Sequence, residues 1–123
     1  MIAIGHDIIE IERIRNAIER YGQHFLTKVF SEQEIKYCLD KKAPYQSFAV
    51  RFAAKEAVSK AFGCGIGQFL SWKSVSINND KYGKPIVILD LKGKSALKNI
   101  NGNDVIISLT HTRQIASAVA IVR

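Results

Sequence analysis

The segment from Arg51 to Gly63, RFAAKEAVSKAFG, constrains the fold more than any other part of this 123-residue chain. If it is helical, one row of its side chains is small throughout, namely Ala49, Ala53, Ala57 and Ala61. The adjacent row begins aromatic and ends charged, in the order Phe48, Phe52, Glu56, Lys60. Charges on a face built for packing predict a partner, a metal or a chemical role. The alternative is an ordinary solvated Glu/Lys pair, which contributes about 0.3 kcal/mol.

Length and composition limit the class of protein. The chain suffices for one domain over residues 1–123, with a real core and no room for a second. Apolar residues make up 47% and charged residues 24%, and the mean hydropathy is near zero, as in ordinary globular proteins. No apolar run is long enough to span a bilayer, and Asp7, Glu10 and Glu12 interrupt the N-terminal isoleucines where a signal peptide would be apolar. We therefore expect a cytoplasmic protein with no membrane partner.

Cysteines and net charge say less about function. Cys38 and Cys64 lack the close spacing of a metal pair, so we interpret them as buried thiols and assign them no function. The net charge of +7 and the isoelectric point near 9.6 predict a surface that attracts polyanions. Nucleic acid, a phosphorylated small molecule and an acidic protein all satisfy this requirement.

The N-terminal half has the patterns of helices. The opening IAIG predicts a short strand that leads into a helix from about Ile9 to Arg20, which ends at Gly22. A short helical segment follows over about 25–30. Ser31 and Glu34 form the pattern of a capping box at the start of the next helix. Pro44 separates that helix from the long one through Ala61.

The C-terminal half has the patterns of strands. WKSVSI and PIVILDL predict two strands joined by a turn, LKGKSALKN predicts a short helix, and DVIISL and QIASAVAIV predict a hairpin across THTR. QIASAVAIV is also compatible with a helix, but its β-branched residues favour a strand. The whole order predicts an α+β fold, with N-terminal helices packed on a small antiparallel sheet.

Asp7 is a candidate for chemistry because it follows the first predicted strand and precedes the first predicted helix. Taken alone it is better explained as a helix cap, with Glu10 three residues later completing the pattern. Together with Glu56 it gains significance. A hard cation such as Mg²⁺ takes one or two protein carboxylates and leaves its other positions to water and substrate phosphates.

Several further signals are compatible with phosphate binding. His111 lies at the tip of the last hairpin beside Ser108, Thr110 and Arg113, although many polar turns look like this. The glycines of GCGIG can present backbone amides to a phosphate, or they can simply end a helix. Arg51 and Lys55, one helical turn apart, add positive charge before Glu56.

Three ordered motifs carry a resemblance to a known family. They are Gly5-x-Asp7 followed by Arg13 in GHDIIEIERI, the Lys-Glu-Ala-x-x-Lys-Ala pattern in FAAKEAVSKAFG, and Ser-x-Thr-His in SLTHT. With GIG after the long helix and YGKP in the first hairpin, the chain resembles the holo-acyl-carrier-protein synthases over essentially its whole length. These are the short 4'-phosphopantetheinyl transferases of fatty-acid synthesis. His6 departs from the apolar or hydroxyl residue expected there, outside the motif positions.

The resemblance implies an activity and a set of site residues. The family transfers the 4'-phosphopantetheine arm of coenzyme A to a serine of apo acyl carrier protein and releases adenosine 3',5'-bisphosphate, with Mg²⁺ on the pyrophosphate. By motif position, Asp7 and Glu56 are the expected metal ligands, and they and Lys60 the catalytic residues. The expected coenzyme A contacts are Arg51, Lys55, Gly65, Lys84, Pro85, Ser108, Thr110 and His111.

The resemblance also implies partners. Acyl carrier proteins are acidic, and Arg13 and Arg20, on the predicted solvent side of the first helix, are the candidates for docking them. The family further implies a homotrimer with the 4'-phosphopantetheinyl transferase fold and its site between protomers.

Two competing classes differ in what they require. A nucleic-acid-binding module needs exposed aromatics interleaved with basic residues, whereas these strands are aliphatic, with only Trp72 and Tyr82 available, so we expect no nucleic-acid partner. A metal-dependent phosphohydrolase would share the two carboxylates and the lysine. A product assay distinguishes it from a transferase.

Overall fold

Five helices and five strands lie within residues 2–123, the part of the chain that this computed structural model describes. In chain order they are β1 (Ala3–Glu10), α1 (Ile11–Tyr21), α2 (Gln23–Val29), α3 (Glu32–Leu39), α4 (Pro44–Phe62), β2 (Val75–Asn79), β3 (Pro85–Leu89), α5 (Leu91–Asn99), β4 (Val105–His111) and β5 (Ile115–Val122). A 3₁₀ turn, Trp72–Ser74, precedes β2. No helix in these residues is both long and apolar enough to cross a membrane.

The strands form two separate antiparallel sheets. The larger has the order β1-β5-β4, with Asp7 opposite Ala118 and His111 opposite Ala116. Strands β2 and β3 pair only with each other. The α+β prediction is therefore confirmed, including the C-terminal hairpin and the strand in place of a helix at its end.

Local sequence signals explain where the helices begin and end. Helix α1 ends at Gly22, which has a φ of 54°. At the start of α3, the Glu34 amide donates to Ser31 Oγ (3.2 Å) and the Ser31 amide donates to Glu34 Oε1 (2.8 Å), so the predicted capping box is present. Pro44 occupies the first turn of α4, and Gly63 ends that helix in the left-handed conformation.

The small face of α4 packs directly on the larger sheet. All four alanines of the predicted row are buried, and they meet the buried alanines of β5, Ala116, Ala118 and Ala120. Strand β1 approaches even more closely at Gly5. A Cβ atom there would lie 1.9 Å from the Ala57 carbonyl oxygen and 2.6 Å from the Ala61 nitrogen. Only glycine fits, so this contact fixes how β1 lies along α4.

The structure corrects three sequence predictions near these elements. Strand β1 continues through Glu10 and α1 begins at Ile11, so Asp7 is a mid-strand residue and not a helix cap. Ile8, Ile9 and Glu10 alternate sides along the strand, and their pairing with β5 outweighs the helical pattern that starts at Ile9. Cys64 is exposed, so the expectation of a buried thiol holds only for Cys38.

The second face of the larger sheet carries exposed apolar side chains. Ile4 and Ile8 on β1 retain 58% and 60% of their accessible surface. The register places Ile4, Ile121 and Ile106 in one row across the three strands. His6 lies on this face as well, with Nε2 2.9 Å from Ser117 Oγ. An apolar surface of this kind is typical of a contact with another chain.

Replacing Gly5 tests the close packing of β1 on α4. Gly5→Ala should lower the free energy of unfolding by about 3 kcal/mol or more, because the added methyl group collides with backbone atoms that cannot rotate away. Gly67→Ala is the matched control, since nothing lies within 4 Å of a Cβ atom there. Urea denaturation of both variants measures the difference. Equal stabilities would contradict the packing described.

Candidate active site

Two carboxylates and an amine meet where β1 crosses α4. Asp7 follows Gly5 on the same face of the strand, and Glu56 and Lys60 are successive members of the row next to the alanines. Lys60 Nζ donates to Asp7 Oδ1 at 3.0 Å and to the His6 carbonyl oxygen at 3.1 Å. The close approach at Gly5 therefore brings all three side chains together.

The electrostatics of this group favour a bound cation. Burial raises the pKa of Glu56, and the neighbouring Asp7 carboxylate raises it further, while the Lys60 ammonium opposes the change. Two like charges held close together in a partly buried site are stabilised by a divalent ion, and two carboxylates suit Mg²⁺ that keeps water and phosphate ligands. Within residues 2–123 no third His, Cys, Asp or Glu joins them in a metal-binding cluster.

A cavity of about 340 Å³ lies at the opposite edge of the larger sheet. Three predicted coenzyme A contacts line it: Arg51 on α4, Pro85 on β3 and His111 at the end of β4. His111 Nδ1 lies 3.2 Å from the Thr112 carbonyl oxygen. The cavity thus combines a guanidinium and an imidazole with an apolar wall, a lining suited to a phosphorylated ligand with an aromatic or apolar part.

Arg51 is held from several directions. It is only 5% exposed, and its Nη2 donates to Asn79 Oδ1 at 2.8 Å, while Nη1 donates to the Ser47 carbonyl oxygen at 3.3 Å. Its guanidinium carbon lies 4.2 Å from the centre of the Tyr37 ring. The buried Nε has no hydrogen-bond partner among the described residues. Nη1 and Nη2 each carry a second N–H beyond the bonds described, so the fixed guanidinium retains donors that an anion in the cavity could accept.

Among the other residues that line the same cavity, Tyr37, Lys41 and Asn79 contact Arg51 or one another, and sequence reasoning singled out none of them. Lys41 Nζ lies 4.3 Å from the centre of the Tyr37 ring, so the ring is flanked by two cations. The four-residue spacing of Tyr37 and Lys41 at the end of α3 was an available signal. Asn79 could not have been singled out, because its contact with Arg51 joins residues far apart in sequence.

The carboxylate group and the cavity do not meet within one chain. Neither Asp7, Glu56 nor Lys60 lines the cavity. On a helix, residues five apart such as Arg51 and Glu56 point about 140° away from each other. The strands that carry the two parts, β1 and β4, are separated by β5.

The other predicted contacts lie in different places. Lys84 is exposed in the turn before Pro85, and Gly65 lies in the loop after α4, where its amide donates to the Ser59 carbonyl oxygen. Ser108 and Thr110 belong to the outer face of the sheet, whereas Leu109 and His111 line the cavity. In a single chain these two hydroxyls therefore do not join Arg51 and His111.

The position of Lys55 contradicts the prediction that this residue contacts coenzyme A. It is completely buried, and its ammonium donates to Glu34 Oε1 (2.8 Å), to the Trp72 carbonyl oxygen (3.1 Å) and to the Val75 carbonyl oxygen. Burial lowers its pKa, and the Glu34 carboxylate counteracts this change. All three donors are occupied, so none is available to a ligand.

The predicted docking residues are accessible. Arg13 and Arg20 are exposed on α1, while Ile11 and Ile14 are buried on its other side. The Arg20 guanidinium lies 5.4 Å from the centre of the Tyr21 ring. Neither arginine forms an ion pair with any residue of the described part of the chain.

Residues 3–116 match the family model described as the 4'-phosphopantetheinyl transferase superfamily. The chain therefore belongs to this superfamily.

Its curated relatives narrow the family. The holo-[acyl-carrier-protein] synthase of Chloroherpeton thalassium is 48% identical over 119 residues, covering 97% of this chain and 95% of the relative. That of Ruminiclostridium cellulolyticum is 48% identical over 120 residues, covering 97% and 90%. The family is thus that of the holo-[acyl-carrier-protein] synthases, and its members are enzymes.

Solved structures agree in fold. The Helicobacter pylori holo-[acyl-carrier-protein] synthase in complex with coenzyme A superimposes with a TM-score of 0.86 at 35% identity, covering 98% of this chain and 99% of that one. The Neisseria meningitidis enzyme gives a TM-score of 0.91 at 28% identity, covering 100% and 98%. The predicted family and fold are confirmed.

The raised pKa of Glu56 predicts how the stability of the fold depends on pH. A carboxyl whose pKa is higher in the folded than in the unfolded chain destabilises the fold once it ionises. Without added metal, Glu56→Gln should therefore raise the melting temperature at neutral pH. The gain should shrink as the pH falls through the pKa of Glu56, because the wild-type side chain is then also neutral.

Thermal melts between acid and neutral pH measure this effect. Glu10→Gln, at an exposed carboxylate at the end of β1, is the control and should give no gain. A Glu56→Gln protein that melts lower than the wild type at neutral pH would contradict the electrostatic account.

Proposed function

We propose that this enzyme transfers the 4'-phosphopantetheine group of coenzyme A to a serine of apo acyl carrier protein. The observation that carries the proposal is that α4 presents functional groups on two sides. On one side Glu56 and Lys60 lie beside Asp7, and on the other Arg51 lines a cavity together with His111. A pyrophosphate that is cleaved needs charge neutralisation, and the remaining phosphate of the nucleotide needs an anchor. The two sides of α4 suit these two tasks.

Asp7 and Glu56 would hold Mg²⁺, which when bound supplies charge neutralisation and orientation of the pyrophosphate for in-line attack. Lys60, now paired with Asp7 at 3.0 Å, would contact the departing phosphate oxygen. Arg51 and His111 would bind the 3'-phosphate and the neighbouring ribose. Lys41, Lys84 and Pro85 lie within or beside the same cavity and would complete its contact with the nucleotide.

The reaction balances without another reactant. The carrier serine Oγ forms a bond to the phosphorus that bears the pantetheine arm, and the bond from that phosphorus to the bridging pyrophosphate oxygen breaks. Adenosine 3',5'-bisphosphate leaves with the electron pair. The serine proton passes to a base in the site, with a water held by Glu56 as the candidate acceptor.

A homotrimer with shared sites would unite the two halves. The support is that the carboxylate group and the cavity lie at opposite edges of the larger sheet, and that its outer face carries exposed apolar side chains. A second copy packed on this face would cover Ile4 and Ile8 and bring a neighbour's His111 toward Asp7 and Glu56. Ser108 and Thr110, which lie on that face, would then be near a neighbour's ligand.

The acidic carrier would dock on α1. Arg13 and Arg20 are exposed and free of ion pairs within residues 2–123, and the chain has a net charge of +7. Such a surface accelerates the approach of an acidic protein. We assign the reaction to fatty-acid synthesis in the cytoplasm, as the resemblance of the motifs implies.

Incubation with coenzyme A, Mg²⁺ and an apo acyl carrier protein tests the proposal directly. Intact mass spectrometry should show the carrier heavier by one phosphopantetheine and adenosine 3',5'-bisphosphate released in equal amount. Omission of Mg²⁺ should prevent both. Bisphosphate or phosphate release without carrier modification would instead identify a phosphohydrolase.

Mixing two inactive variants tests the shared site. Asp7→Ala and His111→Ala damage different halves, so trimers refolded from a mixture should contain some sites with both residues intact and should regain part of the activity. Asp7→Ala mixed with Glu56→Gln is the control, because both changes lie in the same half and no site escapes. Absence of recovery in demonstrably mixed trimers would place both halves in one protomer.

Charge reversal tests the docking surface. Arg13→Glu with Arg20→Glu should raise KM for the carrier while KM for coenzyme A stays nearly constant, and added salt should reduce the difference. Lys92→Glu with Lys94→Glu on α5 changes the net charge equally and serves as the control. An unchanged carrier KM would eliminate this docking surface, and loss of tight nucleic-acid binding would revive the rival class.

A further inference from the structure

The buried pair of Glu34 and Lys55 joins three separate segments of the chain. Both side chains have no accessible surface, and their charged atoms lie 2.8 Å apart. Lys55 on α4 also donates to the carbonyl oxygens of Trp72 and Val75. Glu34 on α3 also accepts from the Ser31 amide (2.8 Å) and, through Oε2, from the Ile77 amide (2.9 Å). The pair thereby ties α3 and α4 to the start of β2.

Stability alone does not explain a pair of this kind. Two charges lose their hydration on burial, and well-packed apolar side chains of similar volume often serve the fold equally well. What directional hydrogen bonds provide is a fixed geometry, because each donor must face its acceptor. The question is therefore which part of the molecule requires that geometry.

The fixed segments lead directly to the cavity. Two residues after Ile77, Asn79 accepts from Arg51 Nη2 through Oδ1, and its Nδ2 donates to the Gly83 carbonyl oxygen at 2.9 Å in the turn that precedes Pro85. On the other side, Lys55 lies one helical turn from Arg51. Both walls of the cavity, the helix and the hairpin, thus extend from the same buried pair.

Apart from the contacts of Glu34 and Lys55, the side-chain hydrogen bonds from the hairpin to the helices are those of Asn79 with Arg51 and of Ser76 Oγ with Ser31 Oγ (3.0 Å). Strands β2 and β3 pair only with each other and belong to a separate sheet. Backbone pairing therefore does not fix their distance from α4, and apolar contacts such as that of Ile77 have no directional requirement.

We propose that Glu34 and Lys55 are positioning residues that set the distance between α4 and the β2–β3 hairpin, and thereby the affinity of the cavity for the nucleotide part of coenzyme A. This inference rests on the proposed function. Lys55 would affect nucleotide affinity by fixing the positions of Arg51 and Asn79, and it would not touch the ligand itself.

The test compares binding of adenosine 3',5'-bisphosphate by calorimetry with the kinetic constants of transfer. The variants are Glu34→Gln, which keeps the shape of the side chain, and Glu34→Gln combined with Lys55→Met, which removes both charges and leaves none unpaired. In each, bisphosphate affinity should fall about tenfold or more and KM for coenzyme A should rise by a similar factor, since small misplacements in a binding site have large effects. The carrier KM and kcat should change less than about threefold.

Val58→Ala is the matched control, because Val58 is fully buried in the same helix and makes no hydrogen bond to the hairpin. It should lower the melting temperature and leave bisphosphate affinity unchanged, which separates positioning from general loss of stability. A folded double variant with wild-type bisphosphate affinity would overturn the inference. A fall in kcat accompanied by similar rises in KM for coenzyme A and for the carrier would overturn it as well. A wild-type protein that bound no bisphosphate would overturn the proposed function itself.

Discussion

The contact between Gly5 and the backbone of Ala57 and Ala61 is the constraint on which the arrangement of the site depends. It allows β1 to lie against α4 with no side chain between them. Asp7 then reaches the row that carries Glu56 and Lys60, and the three charged groups share one small, half-buried space. A larger residue at any of the packed positions would push β1 away from α4. Asp7 would then move away from Glu56 and Lys60, although none of the three residues had been changed.

Much of this was accessible from the sequence because it depends on local periodicity. The alanine row, the capping box of Ser31 and Glu34, and the C-terminal hairpin follow from spacings within one element or between neighbours. The motifs also indicated the family and the carboxylate pair. The start of α1 was mispredicted, because Ile9 and Glu10 satisfy both helical and strand patterns and only their pairing with β5 decides between them.

The role of Lys55 could not be predicted for a different reason. Its position one helical turn from Arg51 suggested a second positive charge available to a phosphate, but its ammonium is buried against Glu34, 21 residues earlier in the chain. Nothing in the spacing indicates that a capping residue of one helix also neutralises a lysine of another. The contact of Asn79 with Arg51 spans 28 residues and was equally inaccessible. Residues that depend on long-range partners need the tertiary structure.

The exposed isoleucines of the outer sheet face have a thermodynamic consequence. If copies of the chain cover this face, the folded protomer is stabilised by mass action, and its apparent stability depends on protein concentration. The isolated protomer would then be the least stable form of the molecule. Its exposed isoleucines would also make it the form most prone to non-native association with other copies. Dilution, and not only heat or denaturant, would become a way to unfold this protein.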